Sequence, residues 1–390
     1  MKEIVFLFLK LGTLGFGGPI AILAMLEEEV CRKRQWLTGR QFGEILAICK
    51  LLPGPISTQV SIYVAYLRGG VVAGVAAGIA FILPSFLLVL GLSYFYAHSA
   101  MVSRAAVLFT GFQVGALAVI VLSTGQLASG YRREVRAWGI ALASAVLILA
   151  VPRWEPVVIF VFGMIGIWVG RGGTNSRLPE KGELKERKST GSSVFGVFGF
   201  ATTGTAWLAH LKASVLVDLF WVCFKAGAFV FGTGLAIVPL LEGDTVRHFQ
   251  WLTHSEFMDG LAIGQVTPGP IVITSTFIGF KVAGFLGALV ATFGMFLPSF
   301  INILVILPRV WKRVNGTPAA AAFASWAIPS VIGGIAGSAF RLGWLTLTSP
   351  ALVVLFVVSL AFALRLKPPG WLLIPLVGGM AVLGRAAALL

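Results

Sequence analysis

The sequence is poor in charged residues, and in acidic residues above all. Charged residues make up 12% of its 390 residues, with 15 Asp or Glu against 30 Lys or Arg. A soluble domain carries about twice that charged fraction. Hydrophobic residues reach 57% and the mean hydropathy is +0.93, so a soluble protein of this composition would expose large apolar patches and aggregate. The composition therefore excludes an ordinary soluble protein.

Other missing features exclude whole classes of function. The cysteines, Cys31, Cys49 and Cys223, form no CxxC pair and have no metal-ligand spacing. The phosphate-binding loop, the dinucleotide fingerprint and the nucleophile elbow are also absent, so we expect neither an enzyme nor a cofactor. No basic segment is independent of an apolar flank, which argues against nucleic acid as a partner. The first apolar stretch contains Lys10 and leads into an acidic loop, which argues against a cleaved signal peptide.

Long apolar runs are what the chain has instead. A helix needs about 20 apolar residues to cross a bilayer, and these runs are too long and too little alternating for a barrel. We therefore predict an all-α polytopic integral membrane protein. In the first half the stretches are Ile4–Leu26, Gly43–Leu67, Val71–Ala97, Ala105–Leu127, Ala137–Val151 and Pro156–Val169. In the second half they are Val194–Leu211, Val215–Leu241, Phe257–Phe280, Val282–Leu307, Ala319–Phe340, Ala351–Leu364 and Trp371–Leu390.

The chain also repeats itself. Lys10 corresponds to Lys225 at an offset of 215, and about 21 of the 47 positions from Lys10 to Ile56 are identical at that offset. We predict a first transmembrane repeat at 1–170, a polar cytoplasmic linker at 171–193 and a second repeat at 194–390 that begins with one extra helix. A duplicated apolar chain, interrupted by glycine and proline at matching positions, is typical of a secondary transporter.

Loop charges indicate that the two repeats have opposite orientations. In the first half, one loop contains Arg104 as its basic residue, and the next loop, 132–136, is strongly basic. In the second half the order is reversed: the loop equivalent to that of Arg104, 309–313, is strongly basic, and the next contains Arg341. Because Lys and Arg favour the cytoplasmic side, this swap predicts inverted repeats. The basic residues of 32–40 oppose the prediction, unless the first two stretches cross the membrane only in part or the charge rule fails at this loop.

A Pro-Gly-Pro sequence interrupts an apolar stretch in each half. Proline removes a backbone donor and clashes with the preceding turn, so helix breaks are predicted at both places. Broken backbone at membrane depth is stable only where it is buried in protein or lines a cavity. Helix starts offer free amides and a positive dipole end, which together favour an oxyanion. The alternative is a proline kink whose nearby hydroxyls only satisfy freed carbonyls. The predicted ligands are Pro53, Gly54, Pro55, Ser57, Thr58 and Gln59, and then Gln265, Pro268, Gly269, Pro270, Thr274, Ser275 and Thr276.

Glycines and lysines upstream of these breaks form a second set of candidate ligands. Adjacent glycines permit unwinding, and a lysine inside a spanning segment usually faces a cavity or a partner. The alternative for the lysines is that they extend to the membrane interface. The set consists of Gly17, Gly18, Gly232, Gly234, Lys10, Lys50 and Lys225.

Four acidic residues are candidates for proton coupling. Glu44 and Asp259 are equivalent in the two repeats and precede the breaks, whereas Glu27 and Glu242 end the first segment of each repeat. A carboxylate in a low dielectric can take up and release a proton. The alternative is that these groups form structural salt bridges with nearby arginines or lysines.

Taken together, the motifs resemble the chromate ion transporter family in its long, two-domain form. The residues that carry the resemblance are Gly15-Phe-Gly-Gly-Pro19, Arg34-Gln-Trp-Leu-Thr38, Leu51-Leu-Pro-Gly-Pro-Ile-Ser-Thr-Gln59, Leu83-Pro-Ser-Phe86, Phe231-Gly-Thr-Gly234, Trp251-Leu-Thr253, Asp259–Thr276 and Phe296-Leu-Pro-Ser-Phe300. The resemblance implies export of chromate across the cytoplasmic membrane, with sulfate as a similar anion and the proton gradient as the driving force. Lys50 and Ile56 depart from the family pattern, which more often has Gln and Asn there.

We therefore expect a proton-coupled chromate exporter in the inner membrane that works by alternating access around a midplane site. Its expected partners are chromate or sulfate dianions, protons and the lipid bilayer, with a homodimer as the assembly to test. One alternative is an uptake transporter for sulfate or another oxyanion. The other is a receptor or assembly subunit that transports nothing.

Overall fold

The structure, a computed structural model, is helical wherever it describes regular secondary structure. It describes residues 1–16, 18–98, 106–131, 134–150, 155–170, 213–230, 234–309, 318–366 and 368–386. Within these ranges there is no strand, and the prediction of an all-α protein is confirmed. The linker at 171–193 and the extra helix expected at Val194–Leu211 lie outside the described residues.

Seven helices of the described chain precede the linker and seven follow it. The first set is α1 (Lys2–Leu14), α2 (Gly18–Glu27), α3 (Gly39–Leu51), α4 (Ile56–His98), α5 (Ala106–Ala128), α6 (Val135–Ala150) and α7 (Glu155–Gly170). The second set is α8 (Ala213–Ala228), α9 (Ile237–Glu242), α10 (His254–Val266), α11 (Thr274–Ile301), α12 (Pro318–Thr346), α13 (Pro350–Leu366) and α14 (Gly370–Ala386). The two sets match in order, so α1 corresponds to α8 and α7 to α14.

The repeated Gln-Trp-Leu-Thr sequence starts the third helix of each repeat. Gln35 and Gln250 both have a positive φ, of 51° and 52°. Thr38 and Thr253 then cap α3 and α10, and each forms a capping box with the residue three positions later. The motif therefore has a structural role at a helix start.

The fourth helix of each repeat folds back on itself. As one straight helix the 43 residues of α4 would extend for about 65 Å, twice the roughly 30 Å of a hydrocarbon core. The backbone leaves helical geometry at Gly70 (φ 73°) in α4 and at Gly284 (φ 60°) in α11. In α11 the hydroxyls of Thr276 and Thr292 lie 2.7 Å apart, whereas 16 positions of straight helix would separate them by about 24 Å. The chain therefore reverses at Gly284.

Shorter hairpins precede these long ones. Gly260 and Gly264 on α10 lie against Phe277 and Thr274 on α11, so α10 and the start of α11 are antiparallel. Pro268–Pro270 form the tip of this hairpin. In the first repeat Pro53–Pro55 likewise lie between the end of α3 and the start of α4. With 13 residues each, α3 and α10 extend only about 20 Å and do not span a bilayer alone.

The first two helices of each repeat form a further hairpin. Lys10 on α1 contacts Glu29, just beyond α2, and Glu3 contacts Arg34. The open end of this hairpin therefore carries both the N-terminus and the basic loop at 32–40. The hairpin is compatible with partial crossing by the first apolar stretch, and the inverted arrangement of the repeats stays a prediction.

The remaining helices interlock the two repeats. Helix α12 packs on α6 and α7 of the first repeat, and α5 packs on α13 and α14 of the second. Gly333 and Gly337 on α12 lie against the backbone of Ala141 and Ala145 on α6, because small residues four apart let helices approach closely. The same interface contains a buried hydrogen bond of 2.8 Å between the hydroxyls of Ser144 and Ser330.

Four helical segments of the described chain are long and apolar enough to cross a membrane. They are Ile56–His98, Val107–Tyr131, Ile271–Arg309 and Ala322–Thr346, which form two repeat-equivalent pairs. The arms beyond the reversals, Val71–His98 and Phe285–Arg309, each exceed the roughly 20 residues that a crossing needs.

Candidate anion-binding site

The hairpin tips of both repeats meet inside the molecule. The amide of Gly54 donates a hydrogen bond of 2.6 Å to the carbonyl of Val230, and the amide of Gly269 donates one of 2.9 Å to that of Gly15. Gly54 corresponds to Gly269, and Gly15 to Val230, so the two repeats exchange the same bond. We call Gly15, Pro53–Pro55, Val230 and Pro268–Pro270 the tip cluster.

Glycine is required at the centre of each Pro-Gly-Pro. Gly54 has a φ of 135° and Gly269 a φ of 95°, a region that other L-residues rarely adopt. A Cβ on Gly269 would collide with the hydroxyl of Ser85, and one on Gly54 would collide with the amide of Gln59. These glycines therefore allow side chains to approach the tip backbone closely.

Carbonyl groups at the tip cluster have partners within the protein. The carbonyl of Pro53 accepts hydrogen bonds of 2.6 Å from Gln59 Nε2 and from Asn302 Nδ2. The carbonyls of Gly15 and Val230 accept the exchanged bonds from the glycine amides. By contrast, the first amides of a helix have no intrahelical acceptor, and α4 begins directly after Pro55. The first turn of α4, next to the tip cluster, therefore offers backbone amides to a ligand.

Buried polar side chains without partners concentrate around this cluster. Nine of the described residues carry such atoms with no hydrogen-bond partner. Six of the nine lie within five positions of a Pro-Gly-Pro or contact its glycine: Thr58, Gln59, Ser85, Gln265, Ser275 and Ser299. All six side chains are buried. Each unpaired buried group costs about 1–3 kcal/mol, and folded proteins satisfy most of them. Their concentration at one place indicates a site for a polar ligand.

Two of the predicted hydroxyl ligands instead have partners within the protein. Thr274 donates a hydrogen bond to the carbonyl of Ile271, and Thr276 is paired with Thr292. For Thr274 the geometry matches the alternative in which a hydroxyl satisfies a freed carbonyl. Ser57 is buried at the start of α4.

Some predicted ligands can be placed only in part. Gly18 and Gly234 have positive φ values of 78° and 83° just beyond the glycine-rich tips. Gly17 and Gly232, and the side chain of Lys50, lie outside the described residues.

The candidate lysines lie in ion pairs. Lys10 Nζ lies 2.9 Å from Glu29 Oε1, and Lys225 is paired with Asp244. The two pairs are repeat-equivalent, because both members share the offset that relates the repeats. Burial alone would raise the pKa of Glu29, but hydrogen bonds from Lys10, Arg34 and Lys33 outweigh burial and hold that pKa at about 2.

A cavity of about 440 Å³ opens beside the second of these pairs. Lys225 and His248 line it together with two carboxylates, those of Asp218 and Asp244. With both signs of charge at its wall, this cavity is a less suitable anion site than the surroundings of the tip cluster, where neutral side-chain donors are unpaired.

Asp259 and its repeat equivalent Glu44 have different surroundings. Asp259 is buried, with 4% exposure, and accepts hydrogen bonds from Tyr96 Oη at 2.7 Å and Gln113 Nε2 at 2.9 Å. No basic side chain of the described chain forms an ion pair with it. Glu44 is paired with Arg40 at 3.3 Å on an exposed helix face. The repeats therefore differ at this position, and only the second repeat buries an unpaired carboxylate there.

Glu27 and Glu242 also differ from each other. Glu27 is exposed. Glu242 is buried and accepts two hydrogen bonds from Arg247, at 3.0 and 2.7 Å, with Arg341 at 3.9 Å. This geometry matches the structural salt bridge that was the alternative for Glu242.

Comparison with known proteins establishes the family. The sequence profile described as "Chromate transporter" matches residues 2–168 and 217–384, one region in each repeat. The chain belongs to the chromate transporter family. Its apolar helices agree with this assignment to a multi-pass membrane transporter, and the earlier resemblance is confirmed.

Individual relatives extend the match over most of the chain. A probable chromate transport protein of Synechococcus elongatus is 33% identical over 351 residues, which cover 88% of this chain and 84% of that relative. A chromate transport protein of Cupriavidus metallidurans is 32% identical over 99% of this chain and 93% of that relative. An uncharacterized transporter of Bacillus subtilis, YwrB, is 28% identical and matches 50% of this chain but 96% of its own length. No solved structure gives a significant match.

Proposed function

We propose that this chromate transporter family member binds the chromate dianion at the tip cluster and exports it across the cytoplasmic membrane. The observation that supports this most is the exchanged pair of hydrogen bonds, from Gly54 to Val230 and from Gly269 to Gly15. Each bond joins the Pro-Gly-Pro of one repeat to the glycine-rich tip of the other, beside buried polar groups that are unpaired. Free helix amides, the positive ends of helix dipoles and hydroxyls all favour an anion in a low dielectric.

The tip cluster also suits alternating access. Two repeats that exchange equivalent contacts are related by an approximate two-fold axis, and the swapped loop charges support an axis in the membrane plane. In our proposal the repeats are inverted, and rocking one against the other opens the cluster to each side in turn. The N-terminus and the loop at 32–40 lie at the same end of the first hairpin. We assign that end to the cytoplasm.

Asp259 is the proton carrier in this proposal. It is buried and unpaired within the described chain, whereas Glu44 and Glu242 have basic partners and Glu27 is exposed. The buried carboxylate joins the end of α4 (Tyr96) to α5 (Gln113). Protonation would replace one accepted hydrogen bond with a donated one, so proton uptake is coupled to the packing of these helices.

Flux measurements on purified protein in proteoliposomes test the function. With pH gradients of either sign, we expect chromate to move in a direction set by the gradient, with weak competition from sulfate. Sulfate movement that chromate competes poorly would instead support an uptake transporter for sulfate. Absence of flux for both anions, with correctly folded protein in the membrane, would contradict transport.

A further inference from the structure

Two serines of the repeated Leu-Pro-Ser-Phe motif lie against the tip cluster. Ser85 on α4 approaches Gly269 of the second repeat, and Ser299 on α11 approaches Gly54 of the first. The two serines correspond to each other, so their contacts are exchanged between the repeats just as the backbone hydrogen bonds are. Neither serine is among the ligands that the sequence predicts beside the helix breaks.

Both hydroxyls are buried and have no partner. Ser85 and Ser299 are each 0% exposed, and neither Oγ has a hydrogen-bond partner among the described residues. A buried serine inside a helix ordinarily donates to the carbonyl four positions earlier. Ser93 on α4 does so, to Val89 at 2.7 Å, and Ser359 on α13 donates to Leu355 at 2.6 Å.

We propose that Ser85 and Ser299 donate their hydroxyl hydrogens directly to the transported oxyanion, one from each repeat. Each hydroxyl faces a Pro-Gly-Pro glycine, so the two donors approach the tip cluster from opposite repeats. A hydrogen bond from a neutral donor to an anion is stronger than one between neutral groups. A site built from neutral donors also contains no buried, uncompensated cation when the anion is absent. This inference rests on the proposed function.

The chain offers matched variants for the test. Ser85→Ala and Ser299→Ala each remove one candidate donor. Ser93→Ala and Ser359→Ala remove equally buried serine hydroxyls whose bonds stay within their own helices. If an alanine variant fails to fold, Ser85→Cys or Ser299→Cys keeps the shape of the side chain and replaces the hydroxyl with a thiol, which is a much weaker donor.

The experiment compares chromate binding to the solubilised full-length variants and the KM for chromate in proteoliposomes. We expect each tip variant to weaken binding and raise KM by about tenfold to a hundredfold, which is the usual effect of losing a hydrogen bond to a charged group. The control variants should stay within about twofold of the parent. A merely structural role would change the melting temperature and the amount of active protein but leave the KM unchanged.

Two outcomes separate the inference from the proposed function. If the parent protein transports chromate and both tip variants keep its KM and binding constant, the serines are not ligands and the inference is wrong. If the parent protein neither binds nor transports chromate or sulfate, the proposed function fails, and the inference fails with it.

Discussion

At the scale of single residues, the candidate lysines and the unpaired neutral donors lie at different places in this protein. The lysines nearest the glycine-rich tips are paired with carboxylates. Around the tip cluster, by contrast, the side-chain amide of Gln265 and four hydroxyls are unpaired, those of Thr58, Ser85, Ser275 and Ser299. A site made of neutral donors avoids the cost of an uncompensated buried cation between transport cycles. We therefore assign the contacts with the anion to the tip cluster, and a structural role to the pairs Lys10–Glu29 and Lys225–Asp244.

Asp259 gives the first prediction at this scale. Asp259→Asn keeps the shape of the side chain but cannot carry a proton, so we expect chromate movement to stop following an imposed pH gradient. Chromate exchange between the two sides of the membrane, which needs no net proton transfer, should persist. Flux assays in proteoliposomes with and without a pH gradient measure both.

The control for that prediction is the repeat-equivalent variant Glu44→Gln. Its carboxylate is paired with Arg40 on an exposed face, where a pair contributes about 0–1 kcal/mol, so we expect coupling to stay intact. Gradient-driven transport by Asp259→Asn at the parent rate would remove Asp259 from the coupling mechanism.

The candidate site residues that the sequence predicted lie next to a local motif, whereas the contacts that it missed join residues far apart along the chain. Thr58, Gln59, Gln265 and Ser275 were predictable, because they flank a local break that proline imposes. The partners of Asp259 were not, since Tyr96 and Gln113 lie 163 and 146 positions away. The motif that contains Ser85 was visible as a repeat, but its approach to the other repeat is a tertiary contact.

At the scale of elements, the ion pair between α8 and the π-helical segment after α9, Gly243–His248, gives a second prediction. In Lys225→Met the carboxylate of Asp244, which is 4% exposed, loses its partner. Breaking a buried pair in this way costs about 3–5 kcal/mol, so we expect little folded protein in the membrane and little transport.

The double variant Lys225→Met, Asp244→Asn should recover both properties, since replacing a whole buried pair is often neutral. Membrane abundance by immunoblot and chromate flux per molecule measure them separately. A double variant that is abundant but inactive would indicate that Lys225 belongs to the substrate site.

The hairpins show which part of element structure the sequence specifies. Apolar stretches expected to end at Leu67 and restart at Val71 bracket the observed break at Gly70. What composition does not specify is the direction of the chain after a break. In α11 that direction is set by packing between the two arms, where Gly279 lies directly against Gly287.

At the scale of the whole molecule, the repeats are interlocked rather than side by side. The fifth helix of each repeat packs on the last two helices of the other, and the tip cluster needs backbone from both. YwrB, a relative that matches half of this chain over nearly its full length, corresponds in size to one repeat. In our account a single repeat supplies only half of the binding site, so one repeat expressed alone should not bind chromate.

The position of the bound anion tests the central claim most directly. Anomalous diffraction at the chromium absorption edge, from crystals of the protein grown with chromate, would locate the metal atom of the anion. Our account predicts one peak in the tip cluster, between the Pro-Gly-Pro loops and within hydrogen-bonding range of Ser85 and Ser299. A peak in the cavity beside Lys225, with none at the tip cluster, would contradict it.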